Sequence, residues 1–143
     1  MVSYFSKKDL NEIAEAIRQS ELQTSGEIRV HIARQIKGEV LGCARKVFSK
    51  LEMHRTQEHN GVLIFISMSG KEFAILGDQG IHERVGDTFW GETRDAMLNL
   101  FKEGKIKEGV IAGVLSAGKE LKKYFPRCSD DVNELSNEVS TRG

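Results

Sequence analysis

The sequence predicts an α/β fold in which a small mixed β-sheet is sandwiched between helices. It contains a segment that alternates polar and apolar residues, then a fully apolar segment one helix length later, then a third strand-like segment after only a few residues. A helix-length connection allows two parallel neighbours, whereas a connection of a few residues leaves only an antiparallel hairpin. The expected sheet therefore combines a parallel strand–helix–strand unit with one antiparallel hairpin strand.

The first helix and the first strand have clear local signals. Ser6 and Asp9 have the spacing of a capping box, and Phe5 can pack against Leu10 across the first turn. Apolar residues then recur on one helical face, at Leu10, Ile13, Ala14 and Ile17. Residues 27–32 alternate polar and apolar, which predicts a strand with one buried face.

The next three elements complete the expected sheet. A second helical stripe begins near Gly38 and includes Val40, Ala44, Val47, Phe48 and Leu51. The run from Val62 to Ile66 is apolar throughout and predicts a central strand covered on both faces. The third strand, 71–76, should return antiparallel beside it.

Two helices are expected in the remainder, near 87–102 and 106–124. Both should cover the sheet, and Trp90, Met97 and Phe101 should face it, because these large apolar residues share one side of the earlier helix.

Small residues in the last helix predict a close approach of its backbone. Gly109 and Gly113 are spaced by one helical turn, which favours tight packing of this helix on the sheet. Pro126 ends the helix, so that residues 1–126 form one domain. Residues 127–143 form a polar, acidic C-terminal tail that should contribute little to the fold, as a frayed end or a lightly docked turn through Val132, Leu135 and Val139.

The overall composition argues against some classes of binding partner and indicates a cellular compartment. The 143 residues include 21 Lys and Arg and 21 Asp and Glu, and the net charge of zero offers no electrostatic basis for binding nucleic acid or an anionic membrane. No apolar run approaches the roughly 18 residues of a membrane span, and no signal core is visible near the N-terminus. We expect a cytoplasmic protein with no membrane span, in which Cys43 and Cys128 are free thiols.

Several catalytic signatures are absent from the sequence. A cysteine phosphatase loop needs an arginine six positions after the cysteine, but Ser49 and Glu134 occupy the corresponding positions. The glycine-rich nucleotide loops and the GxSxG nucleophile elbow are also missing. His54 and His59 lack the accompanying ligands of a zinc site. The sequence therefore names no catalytic residue.

One group of candidate ligands follows from strand direction. If the third strand is antiparallel, its end lies beside the beginnings of the first two strands. Asp78, Glu27, Asn60 and Ser25 then meet at one edge of the sheet. Their carboxylate, amide and hydroxyl oxygens are the ligands that calcium or magnesium prefers. The sequence therefore predicts a divalent-cation site with Asp78 as its principal ligand.

An alternative explanation of the same residues is ordinary turn chemistry, in which Asp and Asn satisfy their own backbone. Acidic residues that follow, Glu83 and Asp87, could close a metal site or simply cap and solvate the next helix.

The same segments resemble the TPM domain family. The matching motifs are SGEIRV at 25–30, NGVLI at 60–64, FAILGDQGI at 73–81, FKEG at 101–104 and EGVIAG at 108–113. Together they extend over about residues 5–126. The resemblance implies an α/β sandwich with a central mixed sheet, an acidic site to which calcium binding is attributed in some members, and a weak acid phosphatase activity attributed to plant members.

Two functions from different classes are consistent with these residues. The first is a non-catalytic module that binds a divalent cation, or an unknown protein or small-molecule partner. The second is a slow, metal-assisted acid phosphatase, in which the cation would polarise a phosphoryl oxygen and orient water. Phosphoryl transfer needs positive groups to stabilise its charge, whereas the predicted edge offers carboxylates and no arginine clamp. The binding module is therefore favoured.

Overall fold

The helices and strands of the predicted α/β class are present in the computed structural model. It describes residues 5–56, 59–69, 71–85, 90–127 and 139–142. Between α2 and β2 a short 3-10 helix spans Met53–Arg55. The other elements, in chain order, are α1 (Lys7–Glu21), β1 (Glu27–Ala33), α2 (Val40–Lys50), β2 (Gly61–Ser67), β3 (Glu72–Gly77), α3 (Gln79–Val85), α4 (Gly91–Lys102), α5 (Ile106–Tyr124) and β4 (Ser140–Arg142).

The sheet is mixed and has the strand order β3-β2-β1-β4. β1 and β2 are parallel, with Glu27 opposite Gly61, and β2 and β3 are antiparallel, with Val62 opposite Gly77. The predicted strand directions and the inner position of β2 are confirmed. β1 and β2 therefore begin where β3 ends, at what we call the amino end of the sheet, and the opposite end is the carboxyl end.

Helices cover both faces of the sheet, as predicted. α1, α4 and α5 share one hydrophobic core with the sheet residues Ile28, Val30, Ile32, Val62, Ile64, Ile66 and Ile75. α2 and the 3-10 helix share a second core, on the other face, with Leu63, Phe65 and Ala74. Because β1 is an inner strand between these layers, the expectation of one exposed face is wrong, and only Arg29 in this strand is partly exposed.

The local signals at the first helix are also confirmed. Asp9 N–H donates to Ser6 Oγ and Ser6 N–H donates to Asp9 Oδ2, both at 3.0 Å, which is the reciprocal pattern of a capping box. Phe5 is buried, and Leu10 packs partly buried against the same core.

The region between β3 and α4 differs from the prediction. The turn expected at residues 77–80 leads directly into α3, and the next helix, α4, begins at Gly91 rather than near residue 87. α3 has only seven residues, which is too short to show an apolar period in the sequence.

The glycines of α5 pack against helices and not against the sheet. A Cβ atom at Gly113 would lie 2.5 Å from Met97 Sδ of α4, and one at Gly118 would lie 2.6 Å from Ser20 Cβ of α1. A Cβ at Gly109 would overlap the ring of Phe101. The predicted close approach exists, but it joins α5 to its neighbouring helices.

The large apolar residues near α4 are placed much as expected. Trp90 and Met97 are buried, and both belong to the core that includes the sheet. Phe101 is partly buried, and its ring meets Phe73 of β3 edge to face, with centroids 5.3 Å apart.

Part of the expected C-terminal tail joins the sheet. β4 pairs in parallel with β1, with His31 opposite Ser140, and Val139 is partly buried against the main core. Val132, Leu135 and Cys128 lie outside the described residues. Within the described part of the chain, no helix has both the length and the hydropathy that a bilayer crossing requires.

Candidate functional site at the amino end of the sheet

Three predicted ligand residues meet at the amino end of the sheet. Asn60 Nδ2 donates to Ser25 Oγ at 3.3 Å, which joins the segments that precede β1 and β2. Asp78 N–H donates to Gly61 O at 2.9 Å, which fixes the end of β3 beside the same point. Glu27 pairs with Gly61 across the β1–β2 ladder, so its backbone is adjacent. Strand direction therefore places these segments together as predicted.

The Asp78 carboxylate is held in a definite orientation. Its Oδ1 accepts the N–H of Gln79 at 2.8 Å, and its carbonyl accepts the N–H of Ile81 at 3.0 Å. Its Oδ2 lies 3.5 Å from His59 Nδ1, and the side chain is 12% exposed. Asp78 thus immediately precedes α3 with the turn chemistry considered above. Among the residues that the structure describes, the basic group nearest to its second oxygen is the His59 imidazole, at long distance.

Backbone hydrogen bonds hold the segments that carry these side chains. Ser25 N–H donates to Phe125 O at 2.8 Å, and Asn60 N–H donates to Thr56 Oγ1 at 3.2 Å. Gly80 N–H donates to His59 O at 2.8 Å. Asn60 is buried. Hydrogen bonds therefore hold the backbone of each segment that carries an oxygen of the site.

The Glu27 side chain takes part in a second feature, a buried pair of carboxyl groups with Glu21. Glu21 ends α1 and is 4% exposed, and its Oε2 accepts the N–H of Ile28 at 2.8 Å. Burial raises the pKa of Glu21 to about 8, the Ile28 N–H opposes this, and the charge of Glu27 adds to the rise. Glu21 is therefore protonated at neutral pH, and its proton lets it bond to Glu27.

Glu21 was not among the predicted site residues, although the sequence contains a signal for it. Ile13, Ile17 and Glu21 are spaced by four residues, so Glu21 lies on the apolar face of α1. A carboxyl group there, at the negative end of the helix dipole, is expected to be neutral or to have a specific partner.

The protonated Glu21 predicts a fall in stability with rising pH. Its pKa in the unfolded chain is near the ordinary 4.5, so the folded protein binds the extra proton between pH 4.5 and about 8. Stability should fall across that interval and level off above it. Glu21→Gln keeps the hydrogen bonds without the charge, and at pH 8.5 it should be more stable than the native chain by at least ~1 kcal/mol.

Urea unfolding at pH 5.5, 7.0 and 8.5 measures this difference. Glu92→Gln is the matched control, because Glu92 is exposed on α4. It should follow the native pH dependence. A Glu21→Gln variant that loses stability with pH as steeply as the native chain would contradict the protonated state.

The remaining predicted ligands are not drawn into the same cluster. Glu83 is exposed on α3, where its Oε1 accepts from Gln79 Nε2 at 3.0 Å, and Asp87 lies outside the described residues. Among the side chains that the structure describes, no three His, Cys, Asp or Glu are grouped closely enough to hold a metal ion. A cation at this end would need amide, hydroxyl or water oxygens beside Asp78.

Comparison with known proteins gives one family and two similar structures. The profile of the TPM domain matches residues 2–120. The BA42 protein of the psychrophilic bacterium Bizionia argentinensis, solved by NMR, is 41% identical, with a TM-score of 0.93 over 99% of this chain and 97% of that one. The N-terminal domain of a P. gingivalis protein is 20% identical, with a TM-score of 0.65 over 85% and 78% of the two chains, and shows the shared fold. No functionally curated protein matches the chain.

Proposed function

The chain belongs to the TPM domain family, and from this premise we propose that it is a non-catalytic module that binds a divalent cation, calcium or magnesium, at the amino end of its sheet. The observation that supports the proposal is the Asp78 carboxylate, which is mostly buried and has an oxygen 3.5 Å from the nearest basic atom, His59 Nδ1. A buried carboxylate oxygen without a close donor favours a cation as its partner.

The neighbouring groups suit a hard cation. Asn60 and Ser25 supply amide and hydroxyl oxygens on a segment tied to Asp78 through Gly61. The His59 side chain is 54% exposed, so its ring can turn into solvent and leave Oδ2 of Asp78 to the ion. Glu27 begins β1 directly opposite Gly61, and Glu83 or Asp87 would supply a further carboxylate.

The expected affinity is modest. Calcium affinity rises with the number of charged ligands and with the rigidity of the cage, and here one carboxylate is combined mainly with neutral oxygens. A weak site of this kind responds to millimolar rather than micromolar cation.

The alternative, a weak metal-assisted acid phosphatase, has less support. Within the described residues His59 is the basic side chain within 4 Å of Asp78, and it is a single, half-exposed group. A phosphoryl dianion beside Asp78 and Glu27 would meet like charge before a cation neutralised it. If no cation binds, the chain remains a candidate module for an unknown protein or small-molecule partner.

Thermal unfolding with calcium, magnesium and chelator tests the proposal. A cation that binds the folded state alone stabilises it by RT ln(1 + [L]/Kd), about 1.4 kcal/mol at a tenfold excess over Kd. The native chain should therefore melt at a higher temperature in calcium than in chelator. Asp78→Asn keeps a side-chain oxygen that can accept the Gln79 N–H and removes the charge, so it should lose this shift.

The matched control is Asp95→Asn, because Asp95 is exposed on α4. It should retain the full shift. Equal melting temperatures in calcium and chelator would refute cation binding, and hydrolysis of p-nitrophenyl phosphate that depends on the cation and disappears in Asp78→Asn would favour the phosphatase.

A further inference from the structure

A second candidate site lies at the carboxyl end of the sheet. A cavity of about 330 Å³ opens between α2 and the sheet, and it is lined by His31 and Ala33 of β1, by the segment that follows β1, and by one side of α2. Its volume is in the range of small-molecule sites. β1 begins at the proposed cation site and ends at this cavity, so the two sites are separated by the length of the strand.

The cavity wall is strongly basic. Lys37, Lys46 and Lys50 line it, and none of the described residues that line it is acidic. No carboxylate of the described chain lies within ion-pair distance of these three lysines. The chain as a whole has a net charge of zero, so the positive charge is concentrated locally at this cavity. Unpaired cations around a cleft attract anions and hold them.

The helix that supplies these lysines also supplies apolar surface. Cys43, Lys46, Val47 and Lys50 are spaced by three and four residues along α2, so they share one face of the helix and all four line the cavity. Val47 is buried, whereas both lysines are exposed. The cavity therefore has an apolar inner part and a cationic rim.

The floor of the cavity is formed by two stacked rings. The rings of His31 and Phe65 are stacked, with centroids 5.5 Å apart and an interplanar angle of 15°. Both residues are buried at neighbouring positions of the paired strands β1 and β2. Flat, buried rings at the base of a cleft suit the apolar body of a small ligand.

The position in the fold favours ligand binding as well. In open α/β sheets, ligands bind in the crevice outside the carboxyl ends of parallel strands. β1 ends at Ala33, which lines the cavity, and α2 packs on the same face of the sheet. The cavity therefore lies at the carboxyl end of β1, between the sheet and the helix that follows this strand.

We propose that this cavity binds a small organic anion, with its phosphate or carboxylate group against Lys37, Lys46 and Lys50 and its apolar body against Val47 and the His31–Phe65 stack. The site is independent of the cation site, and its ligand is selected by an acid group combined with a compact apolar or aromatic part. Lysine binds such acid groups as a point charge, so either acid can be accommodated.

Amide NMR titration with phenyl phosphate, benzoate and neutral phenol tests the proposal on the full chain. Both anions, or one of them, should shift the amide resonances of Ala33, Lys37, Cys43 and Lys46, and added salt should weaken the binding. Phenol should bind much more weakly. Comparison of the two anions identifies the preferred acid group.

The paired variant Lys46→Gln/Lys50→Gln should weaken binding about tenfold or more, because two charged contacts are removed. Lys102→Gln/Lys119→Gln changes the net charge equally on exposed positions of α4 and α5 and should leave the affinity unchanged. Unshifted resonances with both anions, equal binding of phenol, or equal losses in the two paired variants would each overturn the proposal.

Cys43 provides a second readout, since it lines the cavity and is partly exposed. In a Cys128→Ser background, phenyl phosphate should slow its reaction with the neutral reagent 4,4′-dithiodipyridine. The dianionic reagent 5,5′-dithiobis(2-nitrobenzoate) should react relatively faster in the native cavity than in Lys46→Gln/Lys50→Gln. An unchanged ratio of the two rates would contradict an anion-attracting cavity.

Discussion

Replacing Met97 by alanine should lower the free energy of unfolding by about 2–5 kcal/mol, because the side chain is completely buried and its removal leaves a cavity. Met97 lies directly over Gly113, so its contacts join α4 to α5 within the core that includes the sheet. Urea unfolding followed by circular dichroism measures the loss.

The control for this prediction comes from the same helix. Leu98 is 42% exposed, and Leu98→Ala should change stability by no more than about 0.5 kcal/mol. Similar losses in the two variants would show that α4 does not pack on α5 through Met97.

Gly113→Ala should lower the free energy of unfolding by about 1–3 kcal/mol, although alanine has the higher helix propensity. The added methyl group would lie 2.5 Å from Met97 Sδ, so the two helices would have to separate or Met97 would have to change its conformation. Gly42→Ala is the matched control, because Gly42 lies within α2 and a Cβ there meets nothing within 4 Å. It should gain up to about 1 kcal/mol.

The two substitutions should compensate each other when they are combined. Met97→Ala removes the atoms that the methyl group of Gly113→Ala would meet, and the methyl group fills part of the space left behind. The double variant should therefore be more stable than the sum of the single losses indicates. Strict additivity would mean that the two residues are not in contact.

Local and directional features of the fold could be predicted from the sequence. The capping box at Ser6, the parallel pairing of β1 with β2 and the return of β3 depend on short sequence patterns and on connection lengths. The features that could not be predicted depend on tertiary packing. The glycines of α5 predicted a close approach but not its partner. The alternating pattern of β1 predicted one buried face, whereas Glu27 and His31 on the other face are buried as well.

In the candidate sites, too, strand direction could be predicted from the sequence and side-chain packing could not. Strand direction was sufficient to bring Ser25, Asn60 and Asp78 to one end of the sheet. It could not give the direction of a side chain, and the Glu27 carboxyl group lies against that of Glu21 at the end of α1.

The lysine-lined cavity was not predicted, because Lys37 lies in a loop and Lys46 and Lys50 lie on a helix. Their convergence depends on how α2 docks against β1 and β2. A residue pattern within one helix or strand cannot predict how that helix packs against the sheet.

The measurement that tests the proposed function most directly is an amide NMR titration of the native chain and of Asp78→Asn with calcium. We predict that calcium shifts the resonances of Ser25, Gly61, Asp78 and Gln79 in the native chain, leaves those of Lys37 and Lys46 at the other end of the sheet unchanged, and has no comparable effect in Asp78→Asn. Resonances at the amino end that do not move in millimolar calcium, or that move equally in the variant, would contradict a cation site at Asp78.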